Sequence, residues 1–127
     1  MDRRTTIENF WQDAAKQKAR SLREFFTEDA VIRWHNTNEL FTVDEYIQAN
    51  CDYPGDWEGT VERLEDAGDT VISAVRVYSP DESISVHAVS FFRFSGKRIA
   101  ELDEYWGDDG PPPAWRQAMK IGGKIRE

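Results

Sequence analysis

The feature that most restricts how this chain can fold is a change of hydrophobic period near residue 57. From there on, four strand-length segments follow one another, at residues 57–65, 70–78, 83–94 and 98–106, with alternating side-chain character. Their separators are short and rich in turn formers: Ala67, Gly68 and Asp69, then Ser79, Pro80 and Asp81, then Ser95, Gly96 and Lys97. Strands joined by connections this short pair as antiparallel neighbours, and the sheet they make needs a cover for its apolar face.

The first half of the chain supplies that cover. Ile7, Phe10, Trp11, Ala14 and Ala15 fall at helical spacing, with Thr5 and Glu8 placed as a capping box. Ser21 and Glu24 repeat the capping pattern before Leu22, Phe25 and Phe26, so a short second helix is expected to stop near residues 27–29. A strand over residues 30–36 comes next. Thr42 and Glu45 then cap a third helix whose Val43, Tyr46, Ile47 and Cys51 share a face until Pro54 and Gly55 end it. The order α, α, β, α, β, β, β, β predicts an α+β fold: a strongly curved, mixed but mostly antiparallel sheet wrapped around three helices from the N-terminal half. At 127 residues the chain is expected to form one domain over 1–127, with 107–127 as a C-terminal tail.

Charge and cysteine usage narrow the partners. A net charge of -8 repels phosphate backbones and anionic membrane surfaces, so neither nucleic acid nor a membrane is an expected partner. No apolar run reaches the length of a membrane helix, and the N-terminus has no hydrophobic leader core. The single Cys51 leaves no intrachain disulfide and suits a reducing cytoplasm. No cofactor or metal is expected. Gly122, Gly123 and Lys124 lack the phosphate-loop pattern, and the two histidines, His35 and His87, are too few to anchor a metal site.

Strand alternation sorts the candidate site residues. In the last segment Ala100, Leu102, Glu104 and Trp106 form the more apolar face and are placed inward, with Ile99, Glu101, Asp103 and Tyr105 outward. Glu104 is then a carboxylate among apolar neighbours, and burial of that kind raises its pKa toward the range of a general acid or base. The alternative is a carboxylate paired with an arginine. Ile32, Trp34 and Asn36 share a face of the first strand, opposite Val31, Arg33 and His35. Trp34 and Asn36 are read either as an aromatic wall with a positioning amide or as core and a strand-end turn. In residues 70–78 both faces are apolar: Ile72, Ala74, Arg76 and Tyr78 oppose Val71, Ser73, Val75 and Val77. In residues 83–94, Ala88, Ser90, Phe92 and Phe94 are placed inward, and His87, Val89, Phe91 and Arg93 outward. Trp57 and Tyr46 complete an aromatic rim or simply fill the core. The run from Asp108 to Pro113 is a stiff exposed turn that carries Trp115 back against the body, or across a dimer partner, as a latch.

The element order, with AVIRWHN after two helices and FFRFSGKRIAELDEYW near the end, resembles the SnoaL-like branch of the nuclear transport factor 2-like superfamily over nearly the whole chain. That resemblance implies a cone whose sheet curls around a hydrophobic pocket, and a homodimer through the outer sheet face. Members include polyketide cyclases, ketosteroid isomerases, limonene epoxide hydrolases and dehydratases, so the fold gives a short list of functions. Related hydrolases and cyclases often carry an acid before the aromatic pair of the last strand, where Glu104 stands. The resemblance turns Arg76 toward the pocket, where it would neutralise Glu104 or grip an anionic substrate. Trp34 and Asn36 partly match an aromatic–amide pair that positions water in the epoxide hydrolases. Ala74 and Arg76 stand where those enzymes carry an Arg and an Asp, so their chemistry is not implied. The Tyr and acid donor pair of the ketosteroid isomerases has no clear counterpart either. What is implied is a hydrophobic small-molecule ligand, carbonyl-bearing or polycyclic, and cofactor-free acid–base chemistry. Glu104, Arg76 and Asn36 would act on it, and Trp34, Trp57, Tyr46, Ser90, Phe92 and Trp106 would bind it. The alternative is a non-catalytic ligand-binding or protein-interaction module.

Overall fold

The computed structural model describes residues 2–126. Helix α1 spans Arg3–Ala15, α2 Ala19–Glu24 and α3 Val43–Cys51; strands are β1 Phe26–Trp34, β2 Glu39–Phe41, β3 Glu58–Ala67, β4 Thr70–Tyr78, β5 Ser85–Ser95 and β6 Arg98–Asp108; α4 is Ala114–Gln117. One six-stranded mixed sheet has the order β2-β1-β6-β5-β4-β3. The β1–β6 pair is parallel and every other pair antiparallel. The sheet is not closed, since β2 and β3 each have a single neighbour. The architecture is α+β, as the period change predicts.

Local chemistry explains the helices, with two adjustments. The capping box of α3 forms as expected: Glu45 N donates to Thr42 Oγ1 at 3.2 Å, and Thr42 N donates to Glu45 Oε1 at 2.9 Å. For α1 the cap is Asp2 rather than Thr5, because Thr5 N donates to Asp2 Oδ1 at 2.8 Å and the helix starts at Arg3. Helix α2 starts two residues before Ser21 and has no side-chain cap, its hold on the body coming from fully buried Leu22.

Sheet curvature comes from three register shifts, each of which bends a strand. In β1 the shift lies between Phe26 and Val31; in β3 it falls at Glu62, between Val61 and Arg63. In β6 it falls at Ala100, because Arg93 pairs with Glu101 whereas Phe94 pairs with Ile99. The extra residue reverses the alternation, so Ile99 is fully buried and Ala100 is not, contrary to simple parity. The concave face packs on α1 and α3 around Phe10. Its ring meets Phe92 at 5.1 Å, Trp11 at 5.4 Å, Phe25 at 5.7 Å and Phe26 at 5.9 Å between centroids.

Two expectations for the periphery need correction. The strand predicted from residue 30 begins at Phe26, and β2 was too short for its period to be read. The C-terminal segment does not latch onto the body: residues 107–126 are all exposed, and Trp115 is 65% exposed with the Arg116 guanidinium over its ring. Pro111, Pro112 and Pro113 are exposed, and Pro113 is extended ahead of α4.

Candidate active site

One lateral row crosses the concave face of the sheet. Ser73 of β4 pairs with Ser90 of β5, Ser90 with Glu104 of β6, and Glu104 with Trp34 of β1. All four point inward because each sits at an alternating position with buried apolar neighbours: Val71 and Val75, Ala88 and Phe92, Leu102, and Ile32. Glu104 is 1% exposed. Trp34 Nε1 donates to its Oε1 at 3.0 Å and Ser90 Oγ donates to its Oε2 at 2.7 Å. At the end of the row, Trp11 Nε1 donates to Ser73 Oγ at 3.0 Å. No ion pair to Glu104 is present among the described residues.

Burial therefore dominates the electrostatics of Glu104. It raises the carboxyl from 4.5 to about 7, and the hydrogen bonds from Ser90 and Trp34 offset only part of the rise. The hydroxyl of Tyr46 is pushed well above its ordinary value, first by its own burial and then by the Glu104 charge. A carboxyl of this kind is part neutral and part ionised near neutral pH, so it can give or take a proton.

A cavity of about 400 Å³ opens beside this row at the wide end of the cone. Its walls are the rings of Trp11, Trp34, Tyr53, Trp57 and Trp106, with Val77, Ile84 and Val86 completing the apolar surface. Asn36, Gln17, Asn50 and Asp108 supply polar groups. Asn36 fixes the Trp106 backbone from both sides, donating from Nδ2 to its carbonyl at 2.5 Å and accepting its N–H on Oδ1 at 2.6 Å. Trp57 is held by a bond from its Nε1 to Pro54 O at 3.2 Å.

The predicted residues fall into four groups, with Trp34 belonging to two of them. Glu104, Ser90 and Trp34 are in direct contact, and Trp34, Trp57, Trp106 and Asn36 line the cavity. Tyr46 and Phe92 do not line it; together with Phe10 they fill the narrow end of the cone as core, 2% and 0% exposed. Glu104 and Ser90 lie behind the wall rather than in it. Arg76 is on the opposite face of the sheet. Val71, Ser73 and Val75 take the inward positions of β4, leaving Arg76 to bond Ser85 Oγ at 2.9 Å and Glu82 Oε1 at 2.9 Å, over the Tyr78 ring. Glu104 therefore has no arginine partner. His35 and His87 face outward as expected, on Asp103 at 2.7 Å and on Asp109 at 2.5 Å respectively.

Sequence reasoning missed Trp11, Ser73, Tyr53 and Asp108. Trp11 was absorbed into the apolar stripe of α1. The signal for Ser73 was a serine in the middle of an alternation of valines, matched by Ser90 in the next strand. Among the described residues, no three His, Cys, Asp or Glu side chains stand together to hold a metal ion, and no helix is long and apolar enough to cross a membrane.

The SnoaL-like domain model matches residues 7–102. The chain belongs to the SnoaL-like domain family. Solved structures agree with the fold. This SnoaL-like domain aligns with a candidate ketosteroid isomerase from Kribbella flavida DSM 17836 at 20% identity and a TM-score of 0.79, covering 98% of this chain and 90% of the other. An NTF-2 like protein of unknown function from Burkholderia xenovorans LB400 is 18% identical with a TM-score of 0.78, over 97% and 94% of the two chains. A hypothetical protein with a ketosteroid isomerase-like fold from Catenulispora acidiphila DSM 44928, in complex with trimethylamine, is 14% identical with a TM-score of 0.68, over 79% and 83%. At these identities the likeness concerns the fold. No curated protein matches the SnoaL-like chain closely enough to lend it a function.

Proposed function

We propose that this SnoaL-like domain binds a hydrophobic small molecule, polycyclic or carbonyl-bearing, in the aromatic cavity and that Glu104 moves a proton on it without a cofactor. The reaction class is isomerisation, dehydration or cyclisation. Proteins of this fold are described as isomerases, cyclases and an epoxide hydrolase, and others have no known function. The observation that carries the reading is a fully buried carboxyl, raised to about 7 and lacking a cation, one residue layer from an apolar cavity. Trp34 joins the two, since its ring lines the cavity and its N–H holds Glu104 Oε1. A ligand that turns the indole aside reaches the carboxyl. The trimethylamine complex of the Catenulispora protein is consistent with a small-molecule role for the fold.

A second reading is favoured by one observation: Glu104 does not itself line the cavity. In that reading the domain binds its ligand without turnover, and the row from Ser73 to Trp34 only fixes the wall. Exchange of the α-hydrogens of a panel of cyclic ketones in deuterated water, followed by NMR, separates the two. Catalysis requires exchange by the native protein and none by Glu104→Gln at retained ketone affinity. Binding without exchange in either protein selects the second reading.

The outer sheet face is also proposed to pair with a second copy. Val89, Phe91 and Tyr105 are exposed there at 40%, 38% and 45%, beside Arg33 and Arg93 bound to Glu101. Sedimentation at the mass of a single chain, at micromolar concentration and above, contradicts this.

A further inference from the structure

The cavity's polar groups differ in kind from those of an ordinary hydrophobic pocket. Of the residues that line it, only Asp108 is charged; no Lys, Arg or His is among them. Most of the indole and amide donors are engaged by the protein itself. Trp11, Trp34 and Trp57 give their indole N–H groups to Ser73, Glu104 and Pro54, and the Trp106 Nε1 is buried without a partner inside the wall. Gln17 bonds the carbonyls of Asn50 and Tyr53, and the Asn36 and Asn50 amide nitrogens bond the carbonyls of Trp106 and Ala14. Lys16, which sits next to Trp57, is engaged by Trp57 O and Glu58 Oε1 and is not a lining residue.

What the wall offers a ligand is chiefly five aromatic rings and one carboxylate, Asp108. An anion finds no cationic side chain in such a wall. A positive charge finds the negative faces of the rings and the Asp108 carboxylate, with the net charge of -8 drawing it in. We infer that the cavity is built for an organic cation, a protonated amine or a quaternary ammonium with apolar substituents, held by the aromatic walls with Asp108 as counter-charge. The inference rests on the reading of this cavity as the ligand site and adds the charge of the ligand to it. Glu104 beneath Trp34 contributes further negative potential whenever it is ionised.

Three probes of one shape test it: phenyltrimethylammonium, its neutral isostere tert-butylbenzene, and the anion 4-tert-butylbenzoate. Their binding to the full chain is read by quenching of tryptophan fluorescence and by calorimetry. The cation is expected to bind at least about tenfold more tightly than the neutral isostere. The anion is expected not to bind. In Asp108→Asn the preference for the cation over the isostere shrinks at least about twofold, and added salt shrinks it in the native protein. A neutral isostere bound as tightly as the cation, or a preferred anion, overturns the inference and leaves the apolar ligand site standing. A cation preference untouched by Asp108→Asn overturns the assignment of Asp108 as counter-charge. Failure of all three probes to bind or quench overturns the inference together with the ligand-site reading beneath it.

Discussion

Ionising Glu104 must destabilise the fold, and the size of the effect follows from its surroundings. In the unfolded chain the carboxyl titrates near its ordinary value of 4.5; in the folded chain it titrates at about 7. The folded state therefore holds this proton more tightly than the unfolded state does. Stability falls as pH rises from about 5, and the loss levels off above the folded value. At about 1.4 kcal/mol for each pH unit between the two values, the full loss is on the order of 3 kcal/mol. Glu104→Gln removes the titration while keeping the shape, and the Ser90 hydroxyl can reverse to accept from the new amide. Urea denaturation of both proteins between pH 5 and 8.5 measures the effect. The two should be similar near pH 5, and the variant should gain on the native protein as pH rises, by up to about 3 kcal/mol. The reasoning is refuted if the difference between them is constant across that range, because a pH-independent difference means that the buried carboxyl has the same pKa folded and unfolded.

Two other sites give independent checks. Phe10 stands at the centre of the aromatic core with no exposed surface, so Phe10→Ala should cost about 3–5 kcal/mol in urea denaturation; a loss below about 1 kcal/mol contradicts the packing described. The imidazole of His87 is held above its ordinary value by its hydrogen bond to Asp109, against desolvation, with Glu62 at 2.9 Å adding to the rise. Its stabilising charge is present below pH 6.5 and is lost as pH rises through the higher folded value, so Asp109→Asn should lower the His87 pKa in an NMR titration. An unchanged titration removes the Asp109 contact from the account.

How much of this was legible depended on whether a feature was local. The box at Thr42 and Glu45 is a three-residue relation, and it forms as written. Glu104 could be placed because Leu102 and Trp106 flank it in an alternation uninterrupted over those positions. Ile99 could not, because the extra residue at Ala100 is fixed by pairing with β5, and one residue reverses every assignment before it. Arg76 failed for a different reason. Ile72 and Ala74 make its face as apolar as the face of Val71 and Val75, so hydropathy did not choose between them. The family pattern chose the side that turns out to carry the ion pair with Glu82. Trp11 was visible as a buried helix residue, but its indole N–H on Ser73 depends on where α1 crosses the sheet, which no periodicity encodes.

The parallel pairing of β1 with β6 sets the order in which this molecule can be made. Trp34 and Glu104 are 70 positions apart, and His35 N bonds Glu104 O at 3.0 Å across the same seam. During synthesis, Trp11, Trp34, Trp57 and the valines of β4 and β5 all emerge before the strand that binds them into one wall. Until β6 enters between β1 and β5, each of those two strands has a bare edge, and the aromatic rings have no carboxyl behind them. Closing so long a loop is slow compared with forming the local hairpins of β3, β4 and β5. Cotranslational folding thus ends, rather than begins, with the row from Ser73 to Trp34. A chain stopped before residue 98 holds two unjoined sheet pieces, β2-β1 and β5-β4-β3, each with a bare edge prone to association.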